Sequence, residues 1–228
     1  MTPAGLRGTA PRPDPAIRAP GAGPRQAAPG QGAAVKEYPS FRERLIQGMA
    51  GSIRERGFRE TTIADIVRHA RTSRRTFYAE FASREECYAA LLEMLNQALR
   101  EQIAVAVDPA APWQAQVRQA VQAYVDNVAS EPALTVSWIR EMPALGVLGR
   151  QVQRHAMDAL AGLLSELAGS ARFREAGTVP MTRPLAIILL GGIRELTAAI
   201  VEDDGDIHDL TEVAVAAATA LLRPPQAG

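Results

Sequence analysis

Side chains that donate hydrogen bonds are concentrated between residues 73 and 78. Ser73, Arg74, Arg75, Thr76 and Tyr78 all lie in this short stretch. Arginine binds guanine edges and phosphate oxygens through two parallel hydrogen bonds, and hydroxyl groups also donate to phosphate. The stretch could therefore bind a nucleic acid, although a pair of arginines on a small helix is also typical of an ordinary solvated surface.

Two short helices would position these donors. Thr62 and Asp65 have the spacing of a capping box, in which each side chain accepts from a backbone amide that the helix leaves unpaired. They predict the start of a first helix, and Ser73 is the N-cap candidate for a second, which places both arginines in its first turn. The apolar face of the first helix is formed by Ile63, Ile66, Val67 and Ala70.

A third helix start follows at once, because Ser83 and Glu86 form another pair with capping-box spacing. Two helices joined by a turn of three or four residues form the unit that inserts the N-terminal end of its second helix into the major groove of DNA. The sequence therefore predicts a helix-turn-helix, with the helix that follows Ser73 in the groove.

The same stretch resembles the signature of the TetR family of bacterial transcriptional regulators. The matches keep the family's spacing, which makes the resemblance far more specific than a lone short motif. They are Thr61, Thr62, Ile63, Asp65, Ile66, Ala70, Ser73, Thr76, Phe77, Tyr78, Phe81, Ser83 and Glu85. The resemblance implies a three-helix DNA-binding head, a helical ligand-binding body and a homodimer.

The resemblance also assigns DNA contacts residue by residue. It implies contacts with the DNA backbone from Thr62, Tyr78 and Arg84, and contacts with the groove from Ser73, Arg74, Arg75 and Thr76. Arg71 stands where the family usually has a turn glycine. Because a non-glycine residue with positive φ is strained, either this turn is wound differently or Arg71 absorbs the strain while it reaches a phosphate.

The formal net charge of the 228 residues is zero, but the charge is unevenly distributed. Residues 59–84 carry six arginines against three acidic residues, and residues 1–35 carry four arginines against one aspartate. The remainder is correspondingly acidic. Positive charge is thus concentrated where DNA would bind, as the electrostatic footprint of such a protein requires.

The single cysteine, Cys87, permits no internal disulfide and suits a reducing cytoplasm. It stands at a position that is usually leucine in the family, and we expect it to be a small core residue and not a redox sensor. The longest apolar run, from Leu185 to Ile193, is shorter than the roughly 20 residues of a membrane span, and no secretory signal is evident. We expect a cytoplasmic protein without a membrane partner.

The chain divides into three segments. Residues 1–36 hold seven of the sixteen prolines and show no helical periodicity, so we expect a disordered arm. Residues 37–86 form the helix-turn-helix head, and residues 87–228 form the ligand-binding and dimerisation body. Helical patterns continue through the body and no strand pattern is present, which predicts an all-α fold of packed helices.

The last two predicted helices, from about residue 182 to 202 and from 206 to 222, are more apolar than one side of a small body requires. Small residues there favour close helix contacts. We expect a self-complementary four-helix dimer interface, because a single head would bury too little DNA surface for specific binding; packing within one chain is the alternative. The candidate interface residues are Leu189, Gly192, Ile193, Leu196, Ala214, Ala217 and Ala218.

The sequence contains no catalytic constellation, and its three histidines lack the spacing of a local metal site, so we expect neither an enzyme nor a metal or other cofactor. An apolar pocket in the body is plausible for a small-molecule effector. Aromatic and methionine residues at helical spacing are more often core residues than pocket residues. The candidate pocket residues are Tyr124, Trp138, Met142 and His155.

The sequence therefore predicts a ligand-responsive regulator of transcription. The expected form is a repressor that binds a near-palindromic site on double-stranded DNA as a homodimer and is released by a small molecule. Two alternatives remain: an all-α ligand carrier or helical enzyme whose head is vestigial, and a protein-interaction module that uses the last two helices. The operator, the regulated genes and the effector cannot be read from the residues.

Overall fold

In a computed structural model of the protein, residues 39–223 are described, and they form an all-α fold with no β-strand in that range. The predicted arm, residues 1–36, lies outside the described residues. The ten α-helices are α1 (Phe41–Glu60), α2 (Ile63–His69), α3 (Arg74–Glu80), α4 (Arg84–Ala106), α5 (Trp113–Ser130), α6 (Pro132–Arg140), α7 (Gly146–Ala168), α8 (Ala171–Glu175), α9 (Arg183–Glu202) and α10 (Leu210–Leu222).

The helix starts of the head follow the predicted caps. Ser40, Thr62, Ser73 and Ser83 are the N-cap residues of α1 to α4, and each side chain accepts a hydrogen bond from the amide three residues later. α1 is broken at Gly57, whose φ of 77° lies in the left-handed region that favours glycine. The chain resumes helical geometry immediately after Gly57 and continues to Glu60.

Head and body share one core. It contains Phe77 and Phe81 from the head with Tyr88 and Leu91 from α4, and Met142 from the segment after α6 also belongs to it. α4 runs without interruption across the predicted boundary at residue 86. The predicted division into head and body is therefore not a break in packing.

The body is built from α5 to α10 packed around the long C-terminal part of α4. α9 contacts α6, α7 and α10, and α10 also packs on α5. Two short elements were not predicted: α8, and a 3-10 helix over residues 142–145. The final helix was predicted from residue 206, but residues 207–209 form a 3-10 turn and α10 begins at Leu210.

Cys87 is a core residue, as the sequence predicts. It is fully buried, and its thiol donates to the carbonyl oxygen of Leu45. Burial raises the pKa of the Cys87 thiol to about 12, so the reactive thiolate is not populated at neutral pH. The residue fills the site under the head and is not positioned for redox chemistry.

Candidate nucleic-acid interface and cavity

The turn between α2 and α3 is a Schellman motif with an arginine in place of glycine. The Thr72 amide donates to the carbonyl oxygen of Val67 at 3.0 Å, and the Arg71 amide donates to that of Arg68 at 3.2 Å. Arg71 has φ 50°, in the left-handed region. Of the two possibilities left open by the sequence, the second therefore holds: the turn keeps its usual winding and Arg71 absorbs the strain.

The two faces of α3 differ in burial. Phe77 is buried against Phe81, with ring centroids 5.8 Å apart, and this contact fixes the helix on the core. Arg74 and Arg75 are exposed on the opposite side, and Tyr78 is 60% exposed while its ring meets that of Phe77 edge-on. The polar side of α3 is thus presented to solvent by the packing of its apolar side.

The arginines of the head fall into two groups. Arg54 and Arg68 are bonded to carboxylates, and Arg84 to a carboxylate and three carbonyl oxygens. In the second group, Arg71, Arg74 and Arg75 are exposed, and their guanidinium groups have no hydrogen-bond or ion-pair partner among residues 39–223. Unpartnered guanidinium groups are therefore concentrated at the turn and the first part of α3, where a polyanion could replace their water.

The hydroxyl-bearing candidates are engaged in caps. The Thr62 hydroxyl donates to Asp65 Oδ2 at 2.6 Å, and the Thr76 amide donates to Ser73 Oγ at 3.1 Å. Ser73 Oγ and Thr76 Oγ1 are also 3.0 Å apart. A DNA contact from Thr62 would have to share its hydroxyl with Asp65.

Arg84 is engaged in contacts within the chain. Its Nη1 donates to the carbonyl oxygens of Thr61 at 2.8 Å and of Phe58 and Arg59 at 3.4 Å each. The guanidinium carbon also lies 4.4 Å from the centre of the Phe58 ring. These internal contacts tie α4 to the end of α1, and a contact from Arg84 with the DNA backbone stays a prediction.

Two adjoining apolar cavities lie in the body, with volumes of about 120 Å³ and about 100 Å³. The first reaches from α4 and α5 to α6, and the second continues toward α8 and α10. Both are lined by Leu99, Tyr124, Leu160, Leu190 and Ile193. The body therefore offers an elongated apolar space.

Only part of the predicted pocket set lines these cavities. Tyr124 lines both cavities and Trp138 lines the first. Met142 is instead fully buried in the core shared with the head, because the chain turns there into the 3-10 helix. His155 lies on a separate polar groove beside Glu93 and Arg100. Sequence reasoning missed Arg194, which lines the first cavity, because its spacing resembles that of an ordinary surface arginine.

The predicted dimer residues also separate into two groups. Leu189, Ala214 and Ala218 are buried in the chain's own core and are not available to a second copy, while Ile193 is partly buried in the same core. Gly192, Leu196 and Ala217 are exposed. The set therefore mixes the two faces of α9 and α10, because the sequence is apolar on both.

The exposed arginines, the capped helices and the solvent-facing polar side of α3 are those of a helix-turn-helix, and the helical body that follows contains apolar cavities. The family model described as bacterial regulatory proteins, tetR family, matches residues 46–91, which span most of α1, all of α2 and α3, and the start of α4. Over these residues the chain is similar to the TetR family, which supports its assignment as a DNA-binding transcriptional regulator. No curated protein matches the chain.

Solved structures share the fold of about four-fifths of the chain. The fatty acid degradation regulator FadR from Bacillus halodurans has a TM-score of 0.65 and 18% identity, over 79% of this chain and 95% of its own. FadR from Bacillus subtilis, in complex with stearoyl-CoA, has a TM-score of 0.63 and 17% identity, over 79% and 98%. A TetR-like transcriptional regulator from Rhodococcus sp. RHA1 has a TM-score of 0.60 and 20% identity, over 81% and 98%.

Proposed function

We propose that the protein is a homodimeric cytoplasmic repressor that binds a near-palindromic operator and is released when a small molecule enters the body. The observation that carries the DNA-binding part is the cluster of exposed arginines, Arg71, Arg74 and Arg75, that have no partner in the described part of the chain. Such side chains can exchange water for phosphate and base edges without first breaking an internal ion pair.

The dimer proposal is supported by exposed apolar faces on the last two helices. On α9, Ile188 is 65% and Leu196 is 45% exposed, and on α10 Val213 is 55% exposed. A Cβ atom added at Gly191 or Gly192 would meet nothing within 4 Å. These glycines therefore serve no close approach within the described chain, and a second copy packed on the same face would account for them.

The same face accounts for the composition of α9. By length and composition alone this helix could cross a membrane, which is weak support because core helices of soluble proteins also meet that criterion. α9 contacts three other helices and carries Arg194 and Glu195 near its middle. Removing it into lipid would expose the body core and bury two charged residues, so we assign its apolar surface to the dimer.

A charge substitution tests this interface. We expect Leu196→Glu to convert the protein to a monomer and to lower operator affinity by more than about 100-fold, because one head loses the second half-site. Val105→Glu is the matched control, since Val105 is 87% exposed on α4. Sedimentation velocity measures the state of each variant. A Leu196→Glu variant that remains dimeric would show that the interface lies elsewhere.

Release by a ligand requires a link between the cavities and the head, and we assign that link to α6. Leu134, Thr135 and Trp138 of α6 line the first cavity. At one end of the helix, Glu131 accepts two hydrogen bonds from Arg54 of α1. At the other end, Glu141 Oε2 accepts from the Phe58 amide at 3.2 Å, directly after the break in α1.

The second contact is part of a buried polar chain. Ser137 Oγ donates to Glu141 Oε2 at 2.6 Å, and the Ser137 and Tyr88 hydroxyl oxygens are 2.7 Å apart. This series of hydrogen bonds thus joins α6, α4 and the end of α1 beside Gly57, where α1 is broken. A ligand that displaces α6 would shift Glu131 and Glu141, which bind α1 of the head. It would therefore change the separation of the two heads in a dimer.

The first experiment is selection of bound sequences from random duplex DNA, followed by titration of the selected site over a salt series. We expect a two-fold symmetric site and a steep fall in affinity with salt, because each neutralised phosphate releases counterions. Weak binding without enrichment would contradict the regulator and favour the alternative of a ligand carrier with a vestigial head. Glu141→Ala should bind the same site with a weakened response to effector.

A further inference from the structure

Arg194 lines the first cavity, and its guanidinium group is only partly hydrogen-bonded within residues 39–223. Its Nη2 donates to the carbonyl oxygen of Ile139 at 2.8 Å. Its Nε is buried and, among residues 39–223, has no hydrogen-bond partner. A buried donor without an acceptor is rare in folded proteins, and such a group in a cavity wall is a position where a bound molecule supplies the acceptor.

Arg194 has no ion-pair partner among the described residues. Arg140 binds both Glu195 and Glu202, and Glu131 is bonded to Arg54. Burial lowers the pKa of Arg194 and the nearby Glu195 charge raises it, but an arginine stays protonated in proteins. The cavity wall therefore holds a positive charge that no carboxylate of the described residues contacts directly.

The second cavity is mostly apolar, and its two polar side chains are Gln116 and Tyr124. The Tyr124 hydroxyl is 2.7 Å from Thr197 Oγ1, and the Gln116 amide nitrogen donates to the carbonyl oxygens of Pro109 and Ala111. Gln116 Oε1 has no donor among the described residues, and as an acceptor it would repel an anion. Among the described residues Arg194 is the one cationic side chain that lines either cavity, and the other polar residues of the first cavity are Asn96, Asn127, Glu131, Thr135 and Gln153. An anionic group is therefore most favourable beside Arg194.

We propose that the effector is an amphipathic carboxylic acid whose carboxylate accepts hydrogen bonds from Arg194 and whose apolar part runs past Tyr124 into the second cavity. The inference rests on the proposed role of the body as the effector site. Folding has already removed water from Arg194, so the free-energy cost of desolvation on binding comes mainly from the carboxylate. The charged hydrogen bond between the two groups offsets that cost.

Calorimetric titration of the full chain without DNA tests this assignment. The probes are dodecanoate, dodecan-1-ol and dodecyltrimethylammonium, which share the apolar chain and differ in head group. We expect dodecanoate to bind at least about tenfold more tightly than the alcohol, and the cation to bind most weakly. In Arg194→Met, dodecanoate should lose this advantage while the affinity for the alcohol stays within about threefold.

Arg118→Met is the matched control, because Arg118 is an exposed arginine of the body whose carboxylate partner, Glu212, lies outside both cavities. It should bind dodecanoate like the unmodified protein. Equal affinities for acid and alcohol, an unchanged affinity for the acid in Arg194→Met, or binding of stearoyl-CoA without binding of any free acid would each overturn the proposal. These results are independent of the DNA selection, so failure of the ligand assignment is distinguishable from failure of the regulator.

Discussion

The face of the head and its attachment to the body use arginine in opposite ways. On the face, Arg71, Arg74 and Arg75 are exposed and have no partner among the described residues. At the attachment, Arg84 bonds to carbonyl oxygens around the end of α1, and Arg54 bonds to Glu131 of α6. The residue type is the same, but the first group is available to a ligand and the second group holds helices together.

This difference shows why charge alone does not define a binding surface. The sequence has a net positive stretch over residues 59–84, yet three of its arginines, Arg59, Arg68 and Arg84, are engaged in internal contacts. Substituting an engaged arginine should change stability, whereas substituting a free one should change DNA binding. The following predictions separate the two groups.

The largest effect on stability should come from Arg84→Ala. It removes the donor for three carbonyl oxygens and the contact with the Phe58 ring, so we expect a loss of about 2 to 3 kcal/mol in the free energy of unfolding. Arg84→Lys keeps the charge without the planar fork and should lose about half as much. Urea unfolding measures both, and unchanged stability in Arg84→Ala would return this residue to the DNA-binding group.

Arg74→Ala and Arg75→Ala should leave stability unchanged and weaken DNA binding. If the residue reads a base, we expect the loss to be about 1 to 3 kcal/mol on the selected site and much smaller on random DNA. Fluorescence anisotropy on both duplexes measures the ratio. Equal losses on the two duplexes would assign the residue to the phosphate backbone and would defeat its role in base recognition.

Arg71→Gly should increase stability and weaken DNA binding. Glycine relieves the positive φ of 50° and should stabilise the fold by about 0.5 to 1 kcal/mol, after its larger freedom in the unfolded chain is included. The lost cation should lower the salt dependence of DNA binding by about one phosphate contact. Arg71→Ala is the control, since it removes the charge and keeps the strain, and thermal unfolding should show no gain for it.

The smallest effect concerns the cap of α2. The hydrogen bond from the Thr62 hydroxyl, then that from the Thr62 amide, and the nearby Arg56 charge lower the pKa of Asp65 to about 2. A carboxyl whose pKa is lower in the folded state stabilises the protein above about pH 4, and this contribution is lost as pH falls from about 4 to about 2. Between those pH values, the melting temperature of Asp65→Asn should depend less on pH than that of the unmodified protein. Thr62→Val should also weaken this pH dependence.

The head was predictable because its signals are local. Caps at Thr62, Ser73 and Ser83 satisfy amides within three residues of themselves, so their spacing in the sequence is sufficient to locate the helix starts. The turn at Arg71 was harder, since the sequence left two windings open. The hydrogen bonds from the Arg71 and Thr72 amides decided between them.

The body was less predictable because its helices are apolar on more than one side. Leu189 and Leu196 have the same chemistry and lie seven residues apart, yet one is buried in the chain's own core and the other is exposed. Periodicity alone does not say which apolar face meets the chain itself and which remains for a partner. For the same reason Met142 was assigned to a pocket although it lies in the core shared with the head.

The sequence by itself determined the all-α fold, the helix-turn-helix and the residues at the start of α3, because hydrogen bonds and periodicities that span only a few residues specify them. Tertiary structure alone decided which arginines are free. Arg84 and Arg194 meet partners or a cavity wall contributed by segments more than 20 residues away in the chain, and packing of distant helices sets whether a guanidinium group faces water, a carbonyl oxygen or an apolar cavity.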